Sequence, residues 1–282
     1  MRMFQVCTCG EPLQLNEAPT PKPQGAEVLL KMIAAGVCHS DLHLSDGYFD
    51  LGGGKKLSVV ERGMKLPVTL GHENVGEVIA FGPDASGVKI GDKRLVDPWM
   101  GCGECRVCKR GDEQLCTKPS SIGVFRNGGY ADHLLVPHPR YLFDIGDLPP
   151  EKVAPLACSG VTTYSALKKV GPTLTTDPTV IIGAGGLGLM CLALHKAMGG
   201  HSAVVVDIDP AKRDAAKKAG AVCAEPTRSM VAHEPPPVAA MTCWIASGAA
   251  PSIVATAPAF FAASRFAGSM STTTALCPPI AL

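Results

Sequence analysis

The sequence predicts a two-domain chain, mostly β over residues 1–155 and then α/β over residues 156–224, where an incomplete doubly wound unit is expected. Before residue 155, short apolar runs alternate with Gly, Pro and Asp turns. From about residue 172 the pattern changes to strand, glycine-rich turn, helix and strand. After about Ala224 the composition breaks abruptly and that alternation stops.

In the first part, Val28–Ile33 is apolar without clean alternation, but its β-branched content and flanking Gly and Pro favour a strand. Val75–Ala80 is a second strand, closed by Gly82-Pro83, and Gly91-Asp92 makes the next turn. Short strands at this spacing suggest a barrel. In the second part, Thr179–Ile182 is a short apolar strand. Leu187, Met190, Cys191, Leu194, Ala197 and Met198 then recur at helical spacing. Ala203–Asp207 is the next strand, and Pro210–Ala219 a helix with proline at its start.

At 282 residues the chain can form one large or two medium domains. Hydrophobic residues make up 46% and charged residues 18%, with a formal net charge of +1. That balance argues against nucleic acid or an anionic membrane surface as partner. The first fifteen residues hold no long apolar core and no small-residue cleavage site. The expectation is a cytoplasmic protein with reduced thiols and no signal peptide.

Of the 12 cysteines, Cys102, Cys105, Cys108 and Cys116 cluster as C-x2-C-x2-C-x7-C. In a reducing compartment this spacing suggests metal before disulfides. Two-residue spacers let a tight turn point neighbouring thiolates at one ion, and the longer spacer returns the fourth. Four thiolates leave no open position, so a zinc ion here is structural. An iron–sulfur site and unliganded surface thiols are the competing readings.

A second constellation is dispersed. Cys38-His39-Ser40-Asp41-Leu42-His43 is followed by Gly71-His72-Glu73 and, much later, by Cys158-Ser159-Gly160. Each piece alone reads as core. Together they offer Cys, His and Cys, the mixed ligand set of a catalytic zinc with one position open. Asp41 and Glu73 are acidic neighbours, and a ligating histidine normally donates its other N–H to such a group.

With these motifs, together with Leu66–Glu73, Gly128-Gly129-Tyr130-Ala131-Asp132 and Cys158–Tyr164, residues 1–224 resemble the zinc-dependent medium-chain alcohol dehydrogenases. The resemblance implies a GroES-like barrel domain followed by a Rossmann NAD-binding domain. It implies that Cys38, His72 and Cys158 ligate the catalytic zinc, with Glu73 an acidic residue able to approach the metal. Asp41 is then the carboxylate partner of His72. Ser40 and His43 resemble the proton relay, and His39 a contact to the cofactor pyrophosphate. Trp99 falls where the family has a substrate-pocket aromatic, with plain core as the alternative. The implied reaction is oxidation of an alcohol to an aldehyde or ketone, and its reverse, by hydride transfer to NAD with two zinc ions per chain.

The cofactor signal also stands on local context. Gly183, Gly185 and Gly188 follow a strand and open a helix, with Gly186 and Leu187 between. The backbone there can approach a pyrophosphate, whose charge the helix N-terminus favours. Asp207 ends the next strand, where a carboxylate accepts from a ribose 2′-hydroxyl and repels a 2′-phosphate, favouring NAD over NADP. Thr162 resembles a residue near the nicotinamide, and Lys212 one at the adenosine ribose or a solvated helix lysine. Cys7, Cys9, Cys191, Cys223, Cys243 and Cys277 fit no ligand pattern, and Cys191 reads as core.

Residues 225–282 depart from the family. They contain no Lys, Asp, Asn, Gln or Tyr, and Ala, Pro, Ser and Thr make up more than half. Residues 235–264 are uncharged, but Pro251, Pro258 and the Ala/Ser bulk disfavour a membrane span. A disordered tail, or translation in a shifted reading frame, fits better. The expectation is a truncated chain with a two-strand half-sheet, poor solubility and weak activity. The alternative to an enzyme is a catalytically inactive zinc-binding relic. The family is commonly dimeric or tetrameric through a sheet edge built from later strands, which this chain is not expected to form.

Overall fold

Residues 28–34 show why the first unit is a sheet. Val28, Leu29 and Leu30 are all buried, after which Met32 and Ala34 stay buried while Lys31 and Ile33 face out. The computed structural model describes residues 1–225 and 252–255. They form two compact units that divide between Cys158 and Ser159.

The first unit runs β1 (Arg2–Val6), β2 (Gln14–Glu17), β3 (Val28–Gly36), α1 (His39–Asp46), β4 (Tyr48–Asp50), β5 (Lys56–Ser58), β6 (Val68–Thr69), β7 (Glu73–Phe81), β8 (Lys93–Val96), α2 (Arg106–Lys109), β9 (His133–Val136), β10 (Leu142–Asp144) and α3 (Pro150–Val153). Its main sheet is antiparallel in the order β10-β8-β7-β3-β9, beside a smaller sheet β2-β1-β6 and the hairpin β4-β5. Val28, Leu30 and Met32 pack with Val78, Val96, Leu134 and Val136 from the neighbouring strands. Each such side chain contributes about 1.5–3 kcal/mol when fully buried. Two register shifts in β3, at Leu29/Leu30 and Met32/Ala34, bend it against β7.

The second unit contains α4 (Ser159–Val170), β11 (Pro178–Ile182), α5 (Gly186–Ala197), β12 (Ser202–Val206), α6 (Pro210–Lys218), β13 (Cys223–Glu225) and β14 (Ser252–Ala255). Its parallel sheet has the order β13-β12-β11-β14. Ile181, Ala203 and Val205 join one apolar cluster, and Val180, Val204 and Val206 a second. The strands are therefore apolar on both faces, which is why they read as continuous runs.

The expected two-strand half-sheet is corrected to four strands. Ser252–Ala255, inside the stretch expected to lack structure, pairs in register with Thr179–Ile182. An inner parallel strand leaves its second edge of N–H and C=O groups to be paired. The short β-branched run Ile253-Val254 suits that edge, but an Ala/Pro-rich surrounding masks it in the composition. Residues 226–251 and 256–282 lie outside the described residues, and with them Cys243, Cys277 and the expectation of disorder. No helix among the described residues is long and apolar enough to cross a membrane.

His195, in the last turn of α5, is only 3% exposed and its Nε2 has no hydrogen-bond partner. The ring lies flush on Gly200, where a Cβ would come within 2.2 Å of Nε2. Burial, reinforced by the charge of His201, holds its pKa below the ordinary histidine range. The unfolded chain then binds a proton that the folded unit resists, so stability falls as pH drops below about 6.5. Melting curves between pH 7.5 and 5 are expected to show a steeper acid-side loss in the wild type than in His195→Gln. Parallel curves would rule this out.

Candidate metal and cofactor sites

The pairing of Gly36 with Glu73 across β3 and β7 brings two distant sequence stretches together. Cys38 follows β3 as the N-cap of α1, and His72 immediately precedes β7. Asp41, the third residue of α1, reaches back to accept from the Cys38 N–H at 3.0 Å. This reciprocal cap fixes the first turn. Gly47 ends the helix at φ 84°, a conformation glycine adopts without steric cost.

One ligand atom from each of Cys38, His72, Glu73 and Cys158 lies within 4.8 Å of the others. The Sγ atoms of Cys38 and Cys158 are 3.8 Å apart. His72 Nδ1 is 3.1 Å from Asp41 Oδ1, while its buried Nε2 has no partner. A tetrahedron with metal–sulfur bonds of about 2.3 Å has S–S edges of about 3.8 Å. The donor set, the sulfur spacing and the orphaned imidazole nitrogen all fit zinc.

The charges are arranged accordingly. A hydrogen bond from Cys158 and the nearby His72 draw Cys38 down to about 4, despite burial. Burial opposes protonation of His72, but the hydrogen bonds and negative charges of Asp41 and Cys38 together outweigh it and raise the imidazole to about 10. Cys158 is pushed up by its hydrogen bond to Cys38 and by burial. Burial and the Cys38 charge lift Glu73 to about 7. A cation bound here displaces the protons of His72 and Cys158. Gly36 makes room for Glu73, since a Cβ on residue 36 would lie 2.1 Å from Oε2.

Ser40, His39 and His43 lie on α1, with the His39 and His43 rings 4.8 Å apart and His43 also against Phe49. Burial and His39 lower the His43 pKa, so its imidazole is neutral at pH 7. The Trp99 ring is 6.3 Å from that of His72, and its indole Nε1 donates to the Ala157 carbonyl at 3.0 Å. It therefore touches both the histidine and the segment carrying Cys158.

The four-cysteine loop closes on itself. Sγ separations are 3.4 Å for Cys105–Cys108, 3.9 Å for Cys105–Cys116 and 3.9 Å for Cys102–Cys108, again tetrahedral edges. Backbone N–H groups of Cys102 and Lys118 donate to Cys116, and that of Cys105 to Cys102. N–H groups of Glu104 and Cys105 pull Cys102 down to about 6, while burial and the neighbouring thiolate push Cys108 up to about 12. Sequence reasoning missed the residue that fastens this loop. Glu113 Oε2 accepts from Gly101 N and Tyr141 Oη, both at 2.8 Å, and Oε1 is 3.0 Å from Arg140 Nη2. The only sequence signal is an acidic residue inside the long spacer.

In the second unit, Gly183 (φ 96°) turns the chain after β11 and Gly186, Leu187 and Gly188 begin α5. A Cβ on Gly188 would lie 1.8 Å from the Gly183 carbonyl oxygen, whereas Gly185 and Gly186 face open space. That leaves a cradle that a phosphate can approach. Asp207 holds the loop, accepting from Ala184 N at 2.7 Å and from Asp209 N at 2.8 Å. Asp209 caps α6. Arg213, not anticipated from the sequence, donates to the carbonyls of Asp207 and Ile208. Lys212 is half-buried on α6, and Thr162 is exposed on α4. Cys191 is fully buried in the core, which raises its thiol to about 11.

Residues 24–147 match the alcohol dehydrogenase GroES-like domain. An NAD-dependent alcohol dehydrogenase of Sulfurisphaera tokodaii is 44% identical over 225 residues, covering 78% of this chain and 62% of that protein. One from Saccharolobus solfataricus is 42% identical over 221 residues, with the same coverage. These matches support the zinc-type medium-chain alcohol dehydrogenases as the family of this chain. The crystal structure of an alcohol dehydrogenase from Aeropyrum pernix superposes on this chain with a TM-score of 0.70 at 29% identity. It covers 82% of this chain and 66% of that one. The chain spans about 62% of the length of these two curated relatives.

Proposed function

We propose that the chain carries the metal and dinucleotide sites for oxidation of an alcohol to an aldehyde or ketone, and the reverse, with NAD as hydride acceptor. The observation that carries this reading is the 3.8 Å Cys38–Cys158 spacing beside the orphaned Nε2 of buried His72. Cys38, His72 and Cys158 would hold a catalytic zinc, with Glu73 able to approach it. Cys102, Cys105, Cys108 and Cys116 would hold a structural one. A zinc ion in the first set supplies Lewis acidity that lowers the pKa of an alcohol hydroxyl, and NAD accepts the hydride.

The chain's own groups do the rest. Asp41 keeps the His72 proton on Nδ1, leaving Nε2 as the ligating lone pair. Ser40 Oγ would accept the alcohol proton as its own hydroxyl proton passes outward, by way of the cofactor ribose, to the neutral imidazole of His43 on the same helix. The open Gly185–Gly186 turn and the α5 N-terminus favour the charge of a pyrophosphate, and the family resemblance assigns His39 a cofactor role. Asp207 and Lys212 read the adenosine ribose, Thr162 lies towards the nicotinamide, and Trp99 bounds the substrate site.

A second reading is a zinc-binding relic without turnover, favoured by an alignment that covers only 62% of the relative and by the altered composition after about Ala224. Zinc content, NADH titration and alcohol-dependent NADH formation by the full chain separate the two. Two zinc ions, saturable NADH binding and turnover are expected. Zinc without NADH binding leaves the relic, and no zinc at Cys38, His72 and Cys158 overturns both.

A further inference from the structure

Tyr130 has no part in the reaction scheme above, yet its hydroxyl lies 2.9 Å from Asp41 Oδ2 and 3.2 Å from the Gly36 carbonyl. Its ring is set tightly against Gly71, where a Cβ would come within 2.6 Å of ring Cδ1. It also packs on the apolar cluster of Leu44, Met64 and Leu70. The ring is therefore fixed, and the hydroxyl has one place to be. Asp41 is almost completely buried and takes four donors, two on each oxygen. Cys38 N and Tyr130 Oη donate to Oδ2, and His72 Nδ1 and Gly71 N lie at Oδ1, at 3.1 and 3.3 Å.

This arrangement locks the carboxylate plane. The Cys38 N–H at 3.0 Å and the longer Gly71 N–H at 3.3 Å hold one point on each oxygen. The Tyr130 hydroxyl, delivered from a segment 89 residues away, adds the second contact on Oδ2 and the shortest of the four, at 2.9 Å. With the plane fixed, Oδ1 stays opposite His72 Nδ1, and the ring keeps the orientation that aligns Nε2 with Cys38 and Cys158.

We propose that Tyr130 is a positioning residue for the Cys38–His72–Cys158 metal site, acting through Asp41 by its hydroxyl hydrogen bond. This inference rests on the zinc reading given above. Outer partners of ligating histidines commonly change metal affinity by roughly 10- to 100-fold when removed. Tyr130→Phe keeps the ring and its packing and deletes one oxygen.

The test is the rate at which the zinc-loaded full chain gives up metal to a chromogenic chelator. The phase belonging to this site is the one that Cys158→Ser abolishes. Tyr130→Phe is expected to speed that phase by roughly 10-fold or more, to leave the four-cysteine phase and the melting temperature nearly unchanged, and to shift the visible bands of the cobalt-substituted site. Unchanged release and unchanged cobalt bands in a folded Tyr130→Phe overturn the proposal. Should Phe fail to fold, 4-aminophenylalanine, which keeps a donor, is compared with 4-fluorophenylalanine, which does not. Equal release from those two also overturns it. A wild-type chain with no phase lost in Cys158→Ser overturns the zinc reading itself, which separates the two failures.

Discussion

His72→Ala is expected to lower the zinc content of the full chain from two ions to one and to reduce alcohol turnover by about 1,000-fold or more. The Lewis acid contributes several kcal/mol to such a reaction, and each 1.4 kcal/mol is tenfold in rate. Zinc loss follows because the alanine leaves two thiols 3.8 Å apart with no nitrogen donor between them. The fold should survive. Asp41 loses one partner but keeps the Cys38 and Gly71 N–H groups and the Tyr130 hydroxyl. The main cluster of the sheet, around Leu30 and Val78, does not include His72. Metal analysis after gel filtration, beside a melting curve, checks this. A variant that retains two tightly held zinc ions removes His72 from the ligand set. One that loses both has unfolded rather than lost a ligand.

The second large effect is expected from Gly188→Ala. The added Cβ would sit 1.8 Å from the Gly183 carbonyl oxygen and 2.8 Å from its carbon. Neither atom is the end of a flexible side chain, and Gly183 at φ 96° has little freedom to yield. Helix α5 must lift off the loop, so overpacking of about 1–3 kcal/mol or more is expected, with a melting temperature several degrees lower. NADH binding should be lost with it. Gly185→Ala is the informative contrast. It has φ −78° and open space around its Cβ position, so the fold should hold while the pyrophosphate approach is blocked. Fluorescence titration with NADH and thermal melts of both variants decide the matter. A Gly188→Ala protein with wild-type stability and affinity would show that the close helix–loop contact is not required.

The legible part of the site was the part encoded at short range. Cys102, Cys105, Cys108 and Cys116 declared a closed four-sulfur cluster because a turn with two-residue spacers can do little else with its thiols. Gly183, Gly185 and Gly188 were legible because the strand before them and the helix after them show in the same thirty residues. Cys38, His72 and Cys158 were weaker individually and were assigned through resemblance. What joins Cys38 to His72 is the β3–β7 register, a property of two strands about forty residues apart.

Other features had no local signature at all. Glu113 fastens the cysteine loop through Tyr141, 28 residues on, and Trp99 reaches Ala157 across 58 residues. Tyr130 stood in the sequence only as one letter of a matching stretch. Strand β14 went unread because its partner, β11, lies more than seventy residues earlier and its own four residues sit in an Ala/Pro-rich background. By itself the sequence determined the main strands and helices before residue 224, the four-cysteine spacing and the glycine-rich turn, since spacing and local propensity act within a few residues. Only the tertiary structure decided the order of the strands, the rotamer of Asp41 and the seating of the cysteine loop, because hydrogen bonds between distant segments take a single geometry only once both have folded.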